Sequence, residues 1–271
     1  MYRHRYHLSA PQGWLNDPNG FCYYKGRYHL FYQHNPHRPV WGRMYWGHAS
    51  SLDLVKWRHE PVALKPRGFW EAFLGCFSGS AVEKDGKLYL MYTGFSFLGQ
   101  VQLLAETEDG MHFRKRRKPV LGPLQRPPGA DWLNFRDPKV FTEQATVDGS
   151  ASCGKGDYLC LLGSSCYFRR RGTLFSRRQR GGQVWLYRST DLVHWTRVAS
   201  LLRSPLTKPG IFECPDFVRL DGQDLLLVSP MFLPTNERDE FENLHSVAAI
   251  PGKLDSSGFT PSVAAADSGA G

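Results

Sequence analysis

Three carboxylates are singled out by their surroundings: Asp17 in Trp14-Leu15-Asn16-Asp17-Pro18-Asn19-Gly20, Asp137 in Phe135-Arg136-Asp137-Pro138-Lys139, and Glu213 in Phe212-Glu213-Cys214-Pro215-Asp216. Apolar residues and prolines flank each one, so folding should partly strip its water. A desolvated carboxyl is pushed toward its protonated form unless hydrogen bonds favour the charge. Carboxyls whose environments differ can divide the work of hydrolysing a glycosidic bond, one giving a proton while the other attacks or activates water. A single Asp-Pro reads more simply as a turn residue that bonds nearby backbone amides. Three such sites at regular spacing weaken that simpler reading.

The spacing suggests what positions them. Asp17 is 61 residues from Ser78, which lies in Cys76-Phe77-Ser78-Gly79-Ser80; Ser78 is 59 from Asp137, and Asp137 is 76 from Glu213. Strand-like pairs follow, as in residues 21–24 with 28–33 and 81–83 with 88–93. A second series alternates with the first. Ser51-Leu52-Asp53-Leu54-Val55-Lys56-Trp57 returns as Ser189-Thr190-Asp191-Leu192-Val193-His194-Trp195, and more loosely as Thr107-Glu108-Asp109-Gly110-Met111-His112-Phe113. Each copy follows an aromatic, β-branched run and reads as a turn in which the Asp bonds backbone amides and the final aromatic packs under the sheet. A repeating unit of about 60 residues with four strands has the size of a propeller blade. The carboxylates then fall on innermost strands. The long third interval is assigned to two extended loops, residues 144–155 and 168–182.

Composition agrees with an all-β chain: 14% aromatic residues, 27 Gly and 18 Pro, with 41% hydrophobic and 22% charged residues overall. No apolar window is long enough to span a bilayer, and residues 1–7 lack the apolar stretch of a secretory signal, which points to a cytoplasmic protein. The six cysteines, without paired spacing, read as reduced and mostly buried thiols. The net charge of +9 is concentrated in Arg114-Lys115-Arg116-Arg117-Lys118 and in six arginines between Arg169 and Arg180. Two solvated loops are the simpler account of them; a phosphate site and a nucleic-acid surface are the alternatives.

The three carboxylate motifs, with Phe31-Tyr32-Gln33-His34-Asn35-Pro36, Trp46-Gly47-His48-Ala49 and Phe77-Ser78-Gly79-Ser80-Ala81, resemble glycoside hydrolase family 32 in both content and order. The resemblance covers residues 4 to about 255. It implies a five-bladed β-propeller that hydrolyses β-fructofuranosides such as sucrose or sucrose 6-phosphate with retention, without metal or cofactor. Asp17 corresponds to the nucleophile and Glu213 to the general acid/base. Asp137 corresponds to the transition-state stabiliser. Arg136 would hold the carboxylates in place, and Trp14, Leu15, Asn16, Gln33, Trp41, Phe77 and Ser78 match positions lining the fructose pocket.

Departures from the family bear on activity. Four inner-strand motifs account for about four blades within residues 1–260, and residues 261–271 read as an unstructured tail. A fifth blade and the family's C-terminal β-sandwich are missing, so the chain reads as truncated, with an open sheet edge prone to self-association. An inactive sugar-binding propeller, a fructosyltransferase and an inverting arabinan-cleaving relative are the competing readings. A sugar is the expected partner, with no nucleic acid and no membrane.

Overall fold

A computed structural model describes residue 4 and residues 7–142, 157–168, 179–204, 210–231, 246–255 and 258–262. These form four sheets of four strands, each sheet built from consecutive strands in sequence order. The first holds β1 (Trp14–Tyr24), β2 (Arg27–Asn35), β3 (Tyr45–Ser51) and β4 (Trp57–Leu64). The second holds β5 (Gly75–Lys84), β6 (Lys87–Ser96), β7 (Gly99–Thr107) and β8 (Arg114–Lys115). The third holds β9 (Ala130–Thr142), β10 (Tyr158–Phe168), β11 (Gln179–Ser189) and β12 (Thr196–Ser204), and the fourth β13 (Ile211–Leu220), β14 (Gln223–Met231), β15 (Ala248–Asp255) and β16 (Gly258–Pro261). A four-stranded antiparallel meander is the unit from which propellers are built. Besides the strands, the described residues hold two single-turn 3-10 segments, Phe69–Glu71 and Pro123–Gln125.

The opening hairpins of three blades share one turn chemistry. Lys25-Gly26, Asp85-Gly86 and Asp221-Gly222 each place two successive residues at positive φ (45° and 78°, 50° and 76°, 49° and 79°). That pair of conformations defines the hairpin turn whose twist matches the flanking strands, and Gly is favoured at its second position.

The second repeat forms three equivalent turns. In the copy at 51–57 the Ser51 hydroxyl accepts the Leu54 amide at 2.9 Å, and Asp53 Oδ1 accepts the amides of Val55 and Lys56 at 2.9 and 2.7 Å. Thr107 with Asp109 and Ser189 with Asp191 repeat this scheme, and there His112 Nδ1 and His194 Nδ1 each also lie 2.6 Å from Oδ2 of the Asp. The ring and amide of His112 lead in holding Asp109 well below the usual carboxylate range. At Asp191 partial burial pushes upward, but the amide and ring of His194 outweigh it and the net shift is again downward. The residue after each Asp has positive φ: Leu54 63°, Gly110 78°, Leu192 67°. Trp195 is buried and Phe113 packs against a core, whereas Trp57 is half-buried with its indole on the Leu54 carbonyl, so the expectation of packing under the sheet holds for two copies of three.

The chain divides into two compact units, residues 1–126 with 136–140, and residues 127–135 with 141–271. The first has its core around Phe31, Trp46, Leu64, Leu90 and Val101. The second has its core around Leu161, Val184, Leu186, Leu226 and Val228.

Several loop expectations change. β10 runs to Phe168 and β11 begins at Gln179, so 179–182 is strand and not loop. Residues 144–155, 169–178 and 263–271 lie outside the described residues, as does Cys153. Pro261 ends β16, and the Ser262 amide bonds the Pro251 carbonyl at 2.8 Å, so regular structure reaches one residue past 260. The basic run is not wholly a solvated loop, because Arg114 and Lys115 form β8 and pair with Glu106 and Glu71. Cys76, Cys160 and Cys166 are buried free thiols, Cys22 is a half-buried free thiol pushed up to about 12 by burial, and Cys214 is exposed. Among the described residues no helix is long and apolar enough to cross a membrane.

Candidate active site

Asp17, Ser78, Asp137 and Glu213 all lie on the first strand of a sheet: β1, β5, β9 and β13. Three of these strands are interrupted at the motif. On β1 the register steps from Leu15 opposite His34 to Pro18 opposite Tyr32, leaving Asn16 and Asp17 against Gln33 alone. On β5 it steps from Cys76–Gly94 to Gly79–Tyr92, leaving Phe77 and Ser78 against Thr93. On β13 it steps from Glu213–Ser229 to Asp216–Leu227, leaving Cys214 and Pro215 against Val228. Two residues opposing one make a β-bulge, which bends the strand and re-aims side chains.

Within the first unit the two bulges meet. The Ser78 hydroxyl donates to Asp17 Oδ2 at 2.7 Å across 61 residues of sequence. Ser78 is buried and Asp17 half-buried, and among the described residues the other Asp17 oxygen receives no hydrogen bond. A charge-assisted bond of this kind contributes about 1.5–3 kcal/mol and fixes the carboxylate's orientation.

The β5 bulge is held from the first sheet. Gln33 Nε2 donates to the Cys76 carbonyl at 3.0 Å, and Trp46 Nε1 to the Phe77 carbonyl at 2.9 Å. The Gly79 amide donates to Asn19 Oδ1 at 3.2 Å. A Cβ on Gly79 would stand 2.0 Å from the Met91 carbonyl oxygen, which is why the motif needs glycine beside Ser78. Trp14 Nε1 bonds Asn16 Oδ1 at 2.7 Å, the half-buried Leu15 pairs through its backbone with His34, and the half-exposed Trp41 ring meets Phe77 edge-on at 6.1 Å.

Asp137 is 7% exposed and has φ 62°, a conformation uncommon for a non-glycine residue. Its amide donates to Thr93 Oγ1 at 3.0 Å, and Thr93 donates in turn to Gln102 Oε1 at 2.7 Å. Arg136 Nε stands 3.9 Å from Asp137 Oδ2, and its Nη1 is 3.5 Å from Gln100 Oε1, so the guanidinium lies beside the carboxylate without a short bond to it. Asp137 and Cys214, which has φ 44°, therefore carry backbone strain inside two of the motifs.

Glu213 belongs to the second unit. It is half-buried, pairs with Ser229, and sits between buried Phe212 and exposed Cys214. Gly163 on β10 allows this strand close, since a Cβ there would stand 2.0 Å from the Phe212 carbonyl oxygen.

The profile of the Glycosyl hydrolases family 32 N-terminal domain matches residues 7–156 and 171–270. The chain belongs to glycoside hydrolase family 32. Among its relatives, the sucrose-6-phosphate hydrolase of Escherichia coli is 38% identical over 264 residues, covering 93% of this chain and 48% of the relative. The raffinose invertase of E. coli is 37% identical over 257 residues, covering 91% and 48%. The solved GH32 beta-fructofuranosidase BmSUC1 of Bombyx mori superposes with a TM-score of 0.79 at 37% identity, over 96% of this chain and 51% of that one. The chain thus spans about half the length of the relatives it matches. Its four sheets are four blades of the family's five-bladed propeller fold.

For a family 32 chain, the sequence motifs pointed to the inner-strand residues but not to the groups that support them. Asn19, Trp46, Thr93 and Gln102 position Asp17, Ser78 and Asp137 through the bonds above. Asn19 and Trp46 stand inside quoted motifs, so their types were visible there. Thr93 and Gln102 carry no motif signal; only strand pairing brings them opposite the bulge and beneath Asp137.

Proposed function

We propose that this chain carries the catalytic propeller region, about residues 1–260, of a glycosidase cleaving terminal β-D-fructofuranosides, with sucrose or sucrose 6-phosphate as substrate. The observation that carries the reading is Asp17, oriented by Ser78 through one oxygen and, among the described residues, without a hydrogen-bonded partner on the other. In this reading Asp17 attacks the anomeric carbon and forms a covalent fructosyl-enzyme, while Glu213 protonates the departing glycosidic oxygen. Glu213 then takes a proton from water, which releases fructose with retained configuration. Such a pair works at a separation of about 5–5.5 Å. Asp137 accepts hydrogen bonds from the fructose hydroxyls, and Trp14, Leu15, Asn16, Gln33, Trp41, Phe77 and Arg136 shape the pocket. The names of the relatives support the substrate class, and a structure of the Bombyx mori enzyme holds sucrose.

The test is fructose release from sucrose and from sucrose 6-phosphate, with Asp17→Ala and Glu213→Gln as controls. Release that depends on both carboxylates supports the assignment. Saturable sugar binding without turnover in a folded chain would replace it with a binding role, and fructosyl transfer outrunning hydrolysis would make it a transferase.

A further inference from the structure

The basic run at 114–118 has no part in the chemistry above, yet its Lys115, Arg116 and Arg117 form one wall of a cavity of about 630 Å³ in the first unit. The opposite wall is the segment after β4, with Lys65 and Arg67, and Trp70, Tyr92 and Phe113 supply an aromatic lining. None of the candidate active-site residues borders it.

Among the described residues Glu71 is the one acid lining this space, and it is already paired with a cation. It is 1% exposed; Lys115 Nζ and Tyr92 Oη each donate to its Oε1 at 2.6 Å, and the Arg67 amide donates to Oε2. Lys115 also donates to the Lys65 carbonyl at 2.6 Å, which ties the two walls together. His112 faces Asp109. Four cations are left over: Lys65, Arg67, Arg116 and Arg117 are exposed at the cavity and have no acidic partner among the described residues. The backbone is held at three of them: the Arg116 amide bonds the Leu104 carbonyl at 2.8 Å, the Arg67 amide bonds Glu71, and the Lys65 carbonyl accepts from Lys115.

We propose that this cavity is a second binding site, for a small phosphate ester that carries a ring: a sugar phosphate or a mononucleotide. Guanidinium groups match phosphate oxygens with paired N–H donors, and Arg67, Arg116 and Arg117 all line this one cavity. Half-buried Trp70 and Phe113, which pack against the core and line the cavity, supply aromatic surface for the ring. The volume lies within the range of small-molecule sites.

Isothermal titration calorimetry on the full chain tests this with glucose 6-phosphate and AMP as ligands. Inorganic phosphate, glucose and adenosine are the controls. At least one ester should bind about tenfold more tightly than inorganic phosphate and than its own uncharged ring. Arg116→Gln combined with Arg117→Gln should weaken it at least about tenfold at an unchanged melting temperature, while Asp17→Ala leaves it as it was. The preferred ester tells a sugar site from a nucleotide site. The proposal is overturned by the absence of saturable binding, or by indifference to the double arginine change. Loss on Asp17→Ala would move the ligand to the candidate active site, and tight heparin binding that neither ester displaces would make the cavity part of a polyanion surface; either result also overturns it.

Discussion

The three Asp turns and the four inner strands are both products of the same blade repeat, yet they have diverged in opposite ways. At the turns the chemistry is reproduced copy by copy: a hydroxyl at the first position, Asp two residues on, then positive φ, and two amides on one carboxylate oxygen. At the inner strands the bulge recurs, but the residues differ each time. Asn16-Asp17, Phe77-Ser78 and Cys214-Pro215 occupy equivalent places, with Glu213 just before the last. Repetition of residue type marks a local need that every blade shares. A recurring distortion filled with different residues marks positions whose side chains serve no local need common to the blades.

That contrast predicts two separable kinds of damage. The largest effect is expected at Asp17, where alanine should lower the rate of sucrose cleavage by at least about 10⁴-fold while the melting temperature holds. A loss of fold in step with activity would mean the inner carboxylates are scaffold after all. Ser78→Ala comes next, slowing cleavage about 10- to 100-fold by misorienting Asp17, with KM moving less than kcat. Equal damage to KM and kcat would assign Ser78 to substrate binding instead.

Acid should weaken the scaffold before it touches the turns. His29 Nδ1 and His48 Nε2 are 2.9 Å apart and both buried, and burial, then the neighbouring His29, pushes His48 down to about 3. The unfolded chain takes up that proton near pH 6.5, the folded chain only near 3, so stability is full above 6.5 and falls as the pH drops through this window. At pH 5 this amounts to about 2 kcal/mol from His48. A melting temperature flat between pH 7 and 5 would refute it. The low-lying turn carboxylates Asp109 and Asp191 add their loss only below about pH 4.

Smaller effects should follow at the turns themselves. Asp191→Ala removes the acceptor for two amides and should lower stability by about 1–2 kcal/mol, leaving kcat unchanged. A change in kcat would break the separation between turn and site. The smallest effect is a gain: Leu54 is 46% exposed at φ 63°, where the third copy has Gly110. Leu54→Gly should stabilise by up to about 1 kcal/mol, measured by chemical denaturation. The same change at Leu192, which is fully buried, should destabilise.

Much of this was legible because it is local or periodic. The Asp turns depend on bonds between residues three or fewer positions apart, and the Lys25-Gly26, Asp85-Gly86 and Asp221-Gly222 hairpins depend on two neighbours. The blade period announced the inner strands and placed Asp17, Ser78, Asp137 and Glu213 on them. Loop limits were less legible, since Gln179 to Gly182 is polar and glycine-rich and becomes strand only through pairing with β10. Lys115 read as one more charge in a basic run, because its partner Glu71 is 44 residues away.

The sequence by itself determined the repeat, the turn chemistry, the identity of the inner carboxylates and the family, because each is written in neighbouring residues or in a regular interval. Tertiary structure alone decided which groups act on them: Ser78 on Asp17, Thr93 beneath Asp137, and Lys115 on Glu71. Those contacts join residues 44 or more apart, and they come into being only when strands pair and sheets pack. No local pattern encodes them.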